Sequence, residues 1–558
     1  MSFFSTMLSL IRKKICALGA DSALIFHSNR FFETQRPVSH EIYTLCGFTG
    51  SYAKLWVSQN SMCLFTDDRY LIQAEKECKN RTSVHNLSSL HDYIQTHSKI
   101  LVIDLWQISK KHAEKFSAES LPCKVVFEQL LAFPSNFQQT VFPLPFLGRS
   151  PQLWKSWFKH PVLICNSQDL SFLCRVATEN IFLPTLQGYG LGWWEEACNE
   201  VLWLVGVDSP VIKKKSFPSS VTILPMEVWK STVKKTFSKI YYIPETTPLG
   251  LLRWFPQTHK ISSWDLPKTR CIKTNEELEA TRQAHIFEGV AFTRFLYWLE
   301  TQKIERTYTE YSAALQLEEF RKKSASYQGP SFPTISASGP SGAMIHYVPK
   351  PHDQTYIQNG PYLIDAGGQY HWGTTDMTRS MWLGPNSPDS LYQEDYTQVL
   401  QAHIDVAMAI FPKGTFGSVL DTLARNVLWK AHKDYGHSTG HGVGVFSNVH
   451  EGPIQLSSGS KIVLEPNMIC SNEPGYYRQG LWGIRLENLF HVKEDHPGWL
   501  KWNVLSLAPF QRRLIQKNIL GQERIAWLNA YHEQVFTTLC PYLSKKESAW
   551  LQIETFPH

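Results

Sequence analysis

Two stretches of this sequence set acidic side chains into apolar, strand-like runs that turn on glycine, and this combination constrains the fold more than any other feature. In the first, Tyr362-Leu363-Ile364-Asp365-Ala366-Gly367-Gly368 leads through Gln369-Tyr370-His371-Trp372-Gly373 to Asp376-Met377-Thr378-Arg379-Ser380. A hairpin centred near Tyr370 and His371 is predicted to set Asp365 opposite Asp376. In the second, Cys470-Ser471-Asn472-Glu473-Pro474-Gly475 runs to Arg478-Gln479-Gly480 and returns through Gly483-Ile484-Arg485-Leu486-Glu487-Asn488. Pairing about Gly480 puts Glu473 opposite Glu487. Carboxylates buried among apolar strand residues lose their hydration and demand compensating positive charge, which divalent cations supply.

Between the hairpins lie Gly436-His437-Ser438-Thr439-Gly440-His441-Gly442 and Asn448-Val449-His450-Glu451-Gly452-Pro453. Taken singly, an aspartate at a strand end is ordinarily a turn cap, and a histidine in a glycine-rich loop is ordinarily structural. Four carboxylates in register with a histidine favour a metal. One of these histidines would complete a set of four carboxylates and one nitrogen, which suits Mn, Co, Fe or Zn better than a thiolate-type structural zinc site does. Charge balance points to two ions, whose use would be to generate hydroxide from water and to polarise a carbonyl. His346, in Gly342-Ala343-Met344-Ile345-His346-Tyr347, reads equally as a core or a site residue.

The chain has 558 residues, 43% of them hydrophobic and 19% charged, which excludes both a single small binding module and a disordered polymer. Its net charge of +6 is too small and too dispersed for a nucleic-acid footprint. The eleven cysteines are scattered, odd in number and without a Cys-x-x-Cys pair, so a reducing compartment is expected. The start places an apolar stretch before Arg12-Lys13-Lys14, the reverse of a secretory signal, and no later run reaches the ~20 apolar residues that span a bilayer. A soluble, cytoplasmic protein without membrane partners is the expectation.

His40 to Phe48 and Asn199 to Val207 share a polar-Glu-apolar pattern that ends in Gly-apolar, which predicts an internal duplication and two α/β modules of similar build. A Pro-rich passage from Phe142 to Pro151 and a break at Trp264 to Lys268 delimit residues 1–141, 142–268 and 269–558. Thr274-Asn275-Glu276-Glu277 is a capping box that opens a helix, and Glu523 to His532 reads as another helix near the end.

The run from Ser331-Phe332-Pro333 through His346, the Asp-x(10)-Asp hairpin, His-x-x-Gly-His-Gly, Asn-Val-His-Glu-Gly-Pro, Asn-Glu-Pro-Gly-Tyr-Tyr and Gly-Ile-Arg-Leu-Glu-Asn together resemble the Xaa-Pro aminopeptidases. These are the three-domain form of the pita-bread metallopeptidases. The resemblance implies an α/β and α+β chain, with two creatinase-like N-terminal α/β modules followed by a C-terminal pita-bread catalytic domain and helical extension. It implies Asp365, Asp376, His441, Glu473 and Glu487 as ligands of two divalent ions, most often Mn2+, with Co2+, Zn2+ or Fe2+ as alternatives. Asp376 and Glu487 would bridge the ions, and Glu473 would be the general base. His346, His437 and His450 would bind substrate and help move the proton, and Arg485 would support the bridging carboxylate beside it. The implied reaction is hydrolysis, by a hydroxide shared between the ions, of the first bond of peptides with proline second, in a homodimer. Prolidase action on Xaa-Pro dipeptides, or an inactive pita-bread binding protein, are the alternatives. Departures from the family pattern are the run Lys213-Lys214-Lys215 and Ser341, which stands where Asn or Thr is more usual.

Overall fold

The computed structural model describes residues 3–27, 41–79, 81–118, 123–130, 139–143, 154–155, 157–178, 186–198, 200–207, 211–213, 219–255, 257–261, 265–302 and 307–558. Most of the Pro-rich passage, Trp264, Lys214 and Lys215 lie outside the described residues. The chain divides into two compact units, one of Met1–Asn180 and Thr185–Leu266, the other chiefly of Pro267–His558.

The first unit holds two six-stranded sheets. Strands β1 (Ser22–Phe26), β2 (Lys54–Ser58), β3 (Met62–Thr66), β4 (Ser83–Asn86), β5 (Ile100–Asp104) and β6 (Lys124–Glu128) lie in the order β4-β3-β2-β1-β5-β6. Strands β7 (Val162–Ile164), β8 (Tyr189–Glu195), β9 (Glu200–Val207), β10 (Val221–Pro225), β11 (Ile240–Tyr242) and β12 (Thr258–Lys260) repeat it as β10-β9-β8-β7-β11-β12. Strand directions match pair for pair: β1-β2 and β2-β3 are antiparallel like β7-β8 and β8-β9, and the other three pairs of each sheet are parallel. The duplication is therefore present, but the two segments that suggested it are not equivalent. Glu41–Cys46 is helix α1, between β1 and β2, whereas Glu200–Val207 is strand β9. The counterpart of α1 is α2 (Ser167–Cys174), between β7 and β8, and that of β9 is β3. A short apolar run carries no period long enough to separate helix from strand, so the shared letters aligned unlike elements.

In the second unit the capping box forms as predicted. The Thr274 side chain accepts from the Glu277 backbone, Glu277 reaches back to the Thr274 N–H, and α3 runs Asn275–Thr301. Helices α4 (Glu310–Arg321), α5 (Ser390–Ala407), α6 (Gly417–Trp429) and α7 (Gln522–Leu539) surround the strands that carry the acids. These strands are two-faced. Along β13 (Gly360–Ala366), Tyr362, Ile364 and Ala366 enter a core with Phe292 and Phe295 of α3, which leaves Asp365 on the opposite face. Ile484 and Leu486 likewise enter a core with Tyr396, Leu400 and Ile404 of α5, which turns Arg485 and Glu487 the other way. No helix among the described residues is long and apolar enough to cross a membrane.

Candidate metal centre

The first hairpin joins β13 to β16 (Met377–Leu383) by way of β14 (Gly368–Tyr370) and β15 (Gly373–Thr374). The ladder pairs Asp365 with Thr378 and Ala366 with Met377, then Gln369 with Thr374 and Tyr370 with Gly373. The turn thus falls on His371-Trp372, one residue later than expected, because Trp372 adopts a left-handed φ of 67°. Asp365 and Asp376 are therefore diagonal neighbours on one face and do not stand directly opposite. A diagonal separation of about 7–8 Å leaves room for a cation between them.

In the second hairpin, β18 (Ile469–Asn472) pairs Asn472 with Asn488, and β19 (Gly475–Arg478) with β20 (Trp482–Arg485) pairs Gly475 with Arg485. Both ladders keep the same register, so Glu473 faces Glu487 as the pairing about Gly480 predicts. Gly480 takes φ of 77° in the turn, a conformation that favours glycine. The hairpin is tied to α5 by buried Asp395, which accepts from Arg478 Nε at 2.6 Å, Lys433 Nζ at 2.7 Å and Trp482 Nε1 at 3.1 Å.

The histidine comes from β17 (Gly440–His441), placed beside β18. His441 Nδ1–H donates to the Gly442 carbonyl at 2.9 Å, which leaves the Nε2 lone pair facing the acids. Nε2 lies 3.5 Å from Asp376 Oδ2 and 3.4 Å from Glu473 Oε1. Ser471 Oγ accepts from the His441 backbone N–H at 2.9 Å and donates to Glu473 Oε1 at 3.2 Å, fixing the two with respect to each other. Donor atoms of Asp376, His441 and Glu487 all lie within 4.8 Å of one another.

Arg485 reaches Glu487 through an intermediary and not directly, its Nε donating to Thr378 Oγ1 at 3.4 Å. Its Nη2 donates to Asp365 Oδ2 at 2.6 Å and its Nη1 to Tyr477 Oη at 2.9 Å. Glu487 Oε2 accepts instead from Thr378 Oγ1 at 2.6 Å. The long guanidinium stem carries the charge across to the facing hairpin, while the short Thr378 side chain reaches the nearer acid. Three residues that sequence reasoning passed over thus belong to the site. Thr378 lies two residues past Asp376 on the same face, a period-two signal that was available. Tyr477 links Arg485 to His437, whose Nε2 lies 2.8 Å from Tyr477 Oη. Buried Arg379 donates to the Glu487 carbonyl at 2.7 Å and to Asn488 Oδ1 at 2.8 Å, sewing the hairpins together; its distant partners left no trace in spacing.

His437 is buried, and its Nδ1 donates to the Ser438 carbonyl at 2.8 Å. His450 is exposed, with its ring 4.1 Å from that of His441 and nearly perpendicular to it. His346 stands in a turn after Gly339–Ala343, where the Gly342 carbonyl lies against Gly483 of the second hairpin.

Burial, reinforced by the neighbouring carboxylates, holds the acid forms of Asp376 and Glu487 far into the alkaline direction. Burial also raises Glu473, though His441 and Arg485 oppose it. Asp365 Oδ1 and Glu487 Oε1 are buried and have no hydrogen-bond partner. Unpaired carboxylate oxygens, an imidazole nitrogen facing them and several acids in one buried patch make a donor set that a hard or borderline divalent cation fits.

A sequence model of metallopeptidase family M24 matches residues 279–494, and one of the C-terminal region of peptidase M24 matches residues 498–558. A "Probable Xaa-Pro aminopeptidase P" of Phaeosphaeria nodorum is 30% identical over 591 aligned positions, covering 93% of this chain and 88% of that protein. The chain belongs to the Xaa-Pro aminopeptidase P group of metallopeptidase family M24. Its counterpart in Coprinopsis cinerea is 40% identical over 313 residues, an alignment that spans 54% of this chain and 50% of that protein. The crystal structure of X-prolyl aminopeptidase from Caenorhabditis elegans, described as a cytosolic enzyme with a di-nuclear active site, superimposes with a TM-score of 0.87. It is 24% identical, both chains are covered fully, and the likeness confirms the pita-bread fold. A prolidase from Thermococcus sibiricus gives a TM-score of 0.51 at 24% identity, covering 64% of this chain and 95% of that one.

Proposed function

We propose that this metallopeptidase removes the N-terminal residue from peptides with proline in second position, with Asp365, Asp376, His441, Glu473 and Glu487 holding two divalent ions. The observation that carries this reading is the pair of acid-bearing hairpins whose registers gather four carboxylates and the His441 Nε2 on one buried face. When bound there, the ions supply Lewis acidity and lower the pKa of water enough to furnish a nucleophile near neutrality. We assign Mn2+ as the resident metal, with Co2+, Zn2+ or Fe2+ as substitutes, because oxygen-rich sets with one imidazole suit these ions.

The chain's own groups do the rest. Glu473, buried and held by Ser471 Oγ, is placed to accept a proton from the attacking water at its carboxylate and to give it up towards the departing nitrogen. His450 and His346 orient the peptide and deliver the proton, and His437 is held in a single tautomer by the Ser438 carbonyl. Arg485 fixes Asp365 on one side and Tyr477 on the other, so the Asp365, Arg485, Tyr477 and His437 chain sets the acid and the histidine as one unit. Proline matters because an Xaa-Pro bond is a tertiary amide that lacks the N–H other peptidases grip.

The matching six-stranded sheets support a division into two creatinase-like modules, 1–141 and 142–268, ahead of a catalytic domain 269–558. An exposed apolar stripe at the start of α6, formed by its N-cap Phe416 with Val419 and Leu423, supports a homodimer, which light scattering tests directly. Eleven free cysteines support a cytoplasmic location. The deciding experiment compares metal-loaded protein on Xaa-Pro-Yaa tripeptides, Xaa-Pro dipeptides and Xaa-Ala-Yaa tripeptides. Proline tripeptides should lose their first residue, and alanine analogues should react far more slowly. Preference for the dipeptides would move the reading to prolidase, and no hydrolysis of any would make the chain a binding protein.

A further inference from the structure

Just ahead of α3, the segment Arg270 to Lys273 carries charges that the proposed reaction does not use. Lys273 is 3% exposed and Arg270 5%, depths at which a cation is costly unless it is paired. Their common partner is Glu451, itself 2% exposed. Lys273 Nζ donates to Glu451 Oε2 at 2.5 Å, and Arg270 Nη1 lies 3.5 Å from Oε1. Lys273 Nζ also donates to the Arg270 carbonyl at 3.1 Å, so the cluster is closed on itself.

Glu451 directly follows His450, and the backbone around it is tied on both sides. The Gly452 carbonyl accepts from Arg270 Nη2 at 3.2 Å and from Cys271 Sγ at 3.3 Å. The Glu451 N–H donates at 2.8 Å to the Gly442 carbonyl, the same oxygen that fixes the tautomer of His441. The other end of the clamp is anchored too. Lys273 N–H donates to the Asn467 carbonyl at 3.1 Å and Ile272 bridges Met468, immediately before β18, the strand that delivers Glu473. One buried carboxylate therefore connects the segment bearing exposed His450 with those bearing His441 and Glu473.

We infer that Lys273 and Arg270 act through Glu451 as positioning residues that set His450 against His441 and Glu473. A well-packed apolar cluster would hold the segments together equally well. What two cations on one carboxylate add is direction, and a displacement of about 1 Å in a reacting group costs on the order of 100-fold in rate. This inference rests on the reading of His450 as a substrate-facing group.

The test uses full-length Lys273→Met, which leaves Glu451 balanced by Arg270 alone at 3.5 Å and so keeps the buried charges matched, and Lys273→Met/Glu451→Leu, which removes both members of the close pair and leaves Arg270 on the Gly452 carbonyl. Bound metal should stay at the wild-type level in the folded variants. Turnover of an Xaa-Pro-Yaa tripeptide should fall by about 10- to 100-fold with KM changed less than about threefold, and Lys273→Arg should recover most of it. His450→Ala should cost about 100-fold in the wild-type background but less than about threefold in the double variant, because a displaced histidine has little left to lose. In 15N-histidine spectra, the ring signal absent from His450→Ala should move and broaden in the variants while that of His437 stays. An unmoved His450 signal, or an equal cost of His450→Ala in both backgrounds, overturns the clamp. A signal that moves in the variants when the wild-type chain cleaves no Xaa-Pro peptide would instead uphold the clamp and defeat the proposed reaction.

Discussion

Single residues in this site divide into those expected to hold charge and those expected to hold substrate, and the two should separate experimentally. Glu487 is buried, with one oxygen bound by Thr378 and the other unpartnered, so Glu487→Ala removes a proposed shared anion from between two cations. Metal content and turnover should fall together. His450→Ala removes an exposed imidazole beside His441, so metal content should persist while turnover drops by the ~10²- to 10⁴-fold typical of lost proton transfer or transition-state hydrogen bonding. Elemental analysis and steady-state rates on both variants check this. A His450→Ala protein stripped of metal, or a Glu487→Ala protein that keeps two ions, would mean the roles are misassigned.

At the scale of elements, the site depends on how closely strands approach. A Cβ on Gly440 would sit 1.9 Å from the Ser471 carbonyl oxygen, so Gly440→Ala must push β17 away from β18. That movement separates His441 from Ser471 Oγ and from Glu473, the two contacts that place it. Metal affinity by titration calorimetry should fall at least about tenfold, since a tenfold change corresponds to only about 1.4 kcal/mol. The thermal midpoint should also drop by several degrees. Gly459→Ala is the control, because nothing lies within 4 Å of a Cβ there, and it should leave both quantities near wild type. Equal behaviour of the two variants would show that close strand approach does not position the ligand.

Across the whole molecule, buried neutral histidines set the response to acid. Burial lowers His285 to about 4 and His403 and His532 to about 3. In the unfolded chain these groups take up protons near 6.5, so their contribution is fully present above pH 6.5 and is lost as pH falls towards 3 to 4. At pH 5 each costs up to about 2 kcal/mol. Asp376, Glu473 and Glu487 act in the opposite sense when no metal is bound. Their raised values mean that folding favours the proton-bound form, and this contribution is lost as pH rises past the ordinary carboxylate range. Calorimetry of Mn2+-loaded protein, in which the carboxylates are held ionised, should therefore show a lower midpoint at pH 5 than at pH 7, and adding Mn2+ to metal-free protein should raise the midpoint more at pH 7.5 than at pH 5.5. A midpoint indifferent to pH, or metal stabilisation equal at both values, would contradict this assignment of buried charge.

The sequence alone determined the elements whose cause is local: the capping box on α3, the hairpin about Gly480 that sets Glu473 against Glu487, and the alternation that buries Ile484 and Leu486 while presenting Glu487. Each depends on neighbours within about fifteen residues, and glycine, cap residues and period-two patterning record such relations in the order of the letters. Tertiary structure decided the rest. The turn at His371-Trp372 depended on a left-handed tryptophan that spacing does not encode. Which acid receives Arg485 was settled by the distance between two hairpins 120 residues apart. The duplication of the first unit was recoverable only from strand order, since a sheet preserves its pairing while the letters along it drift. Local physics is written along the chain, whereas the partners of Arg485, Arg379 and Glu451 are set by packing that brings distant segments together, and no spacing in the sequence measures that distance.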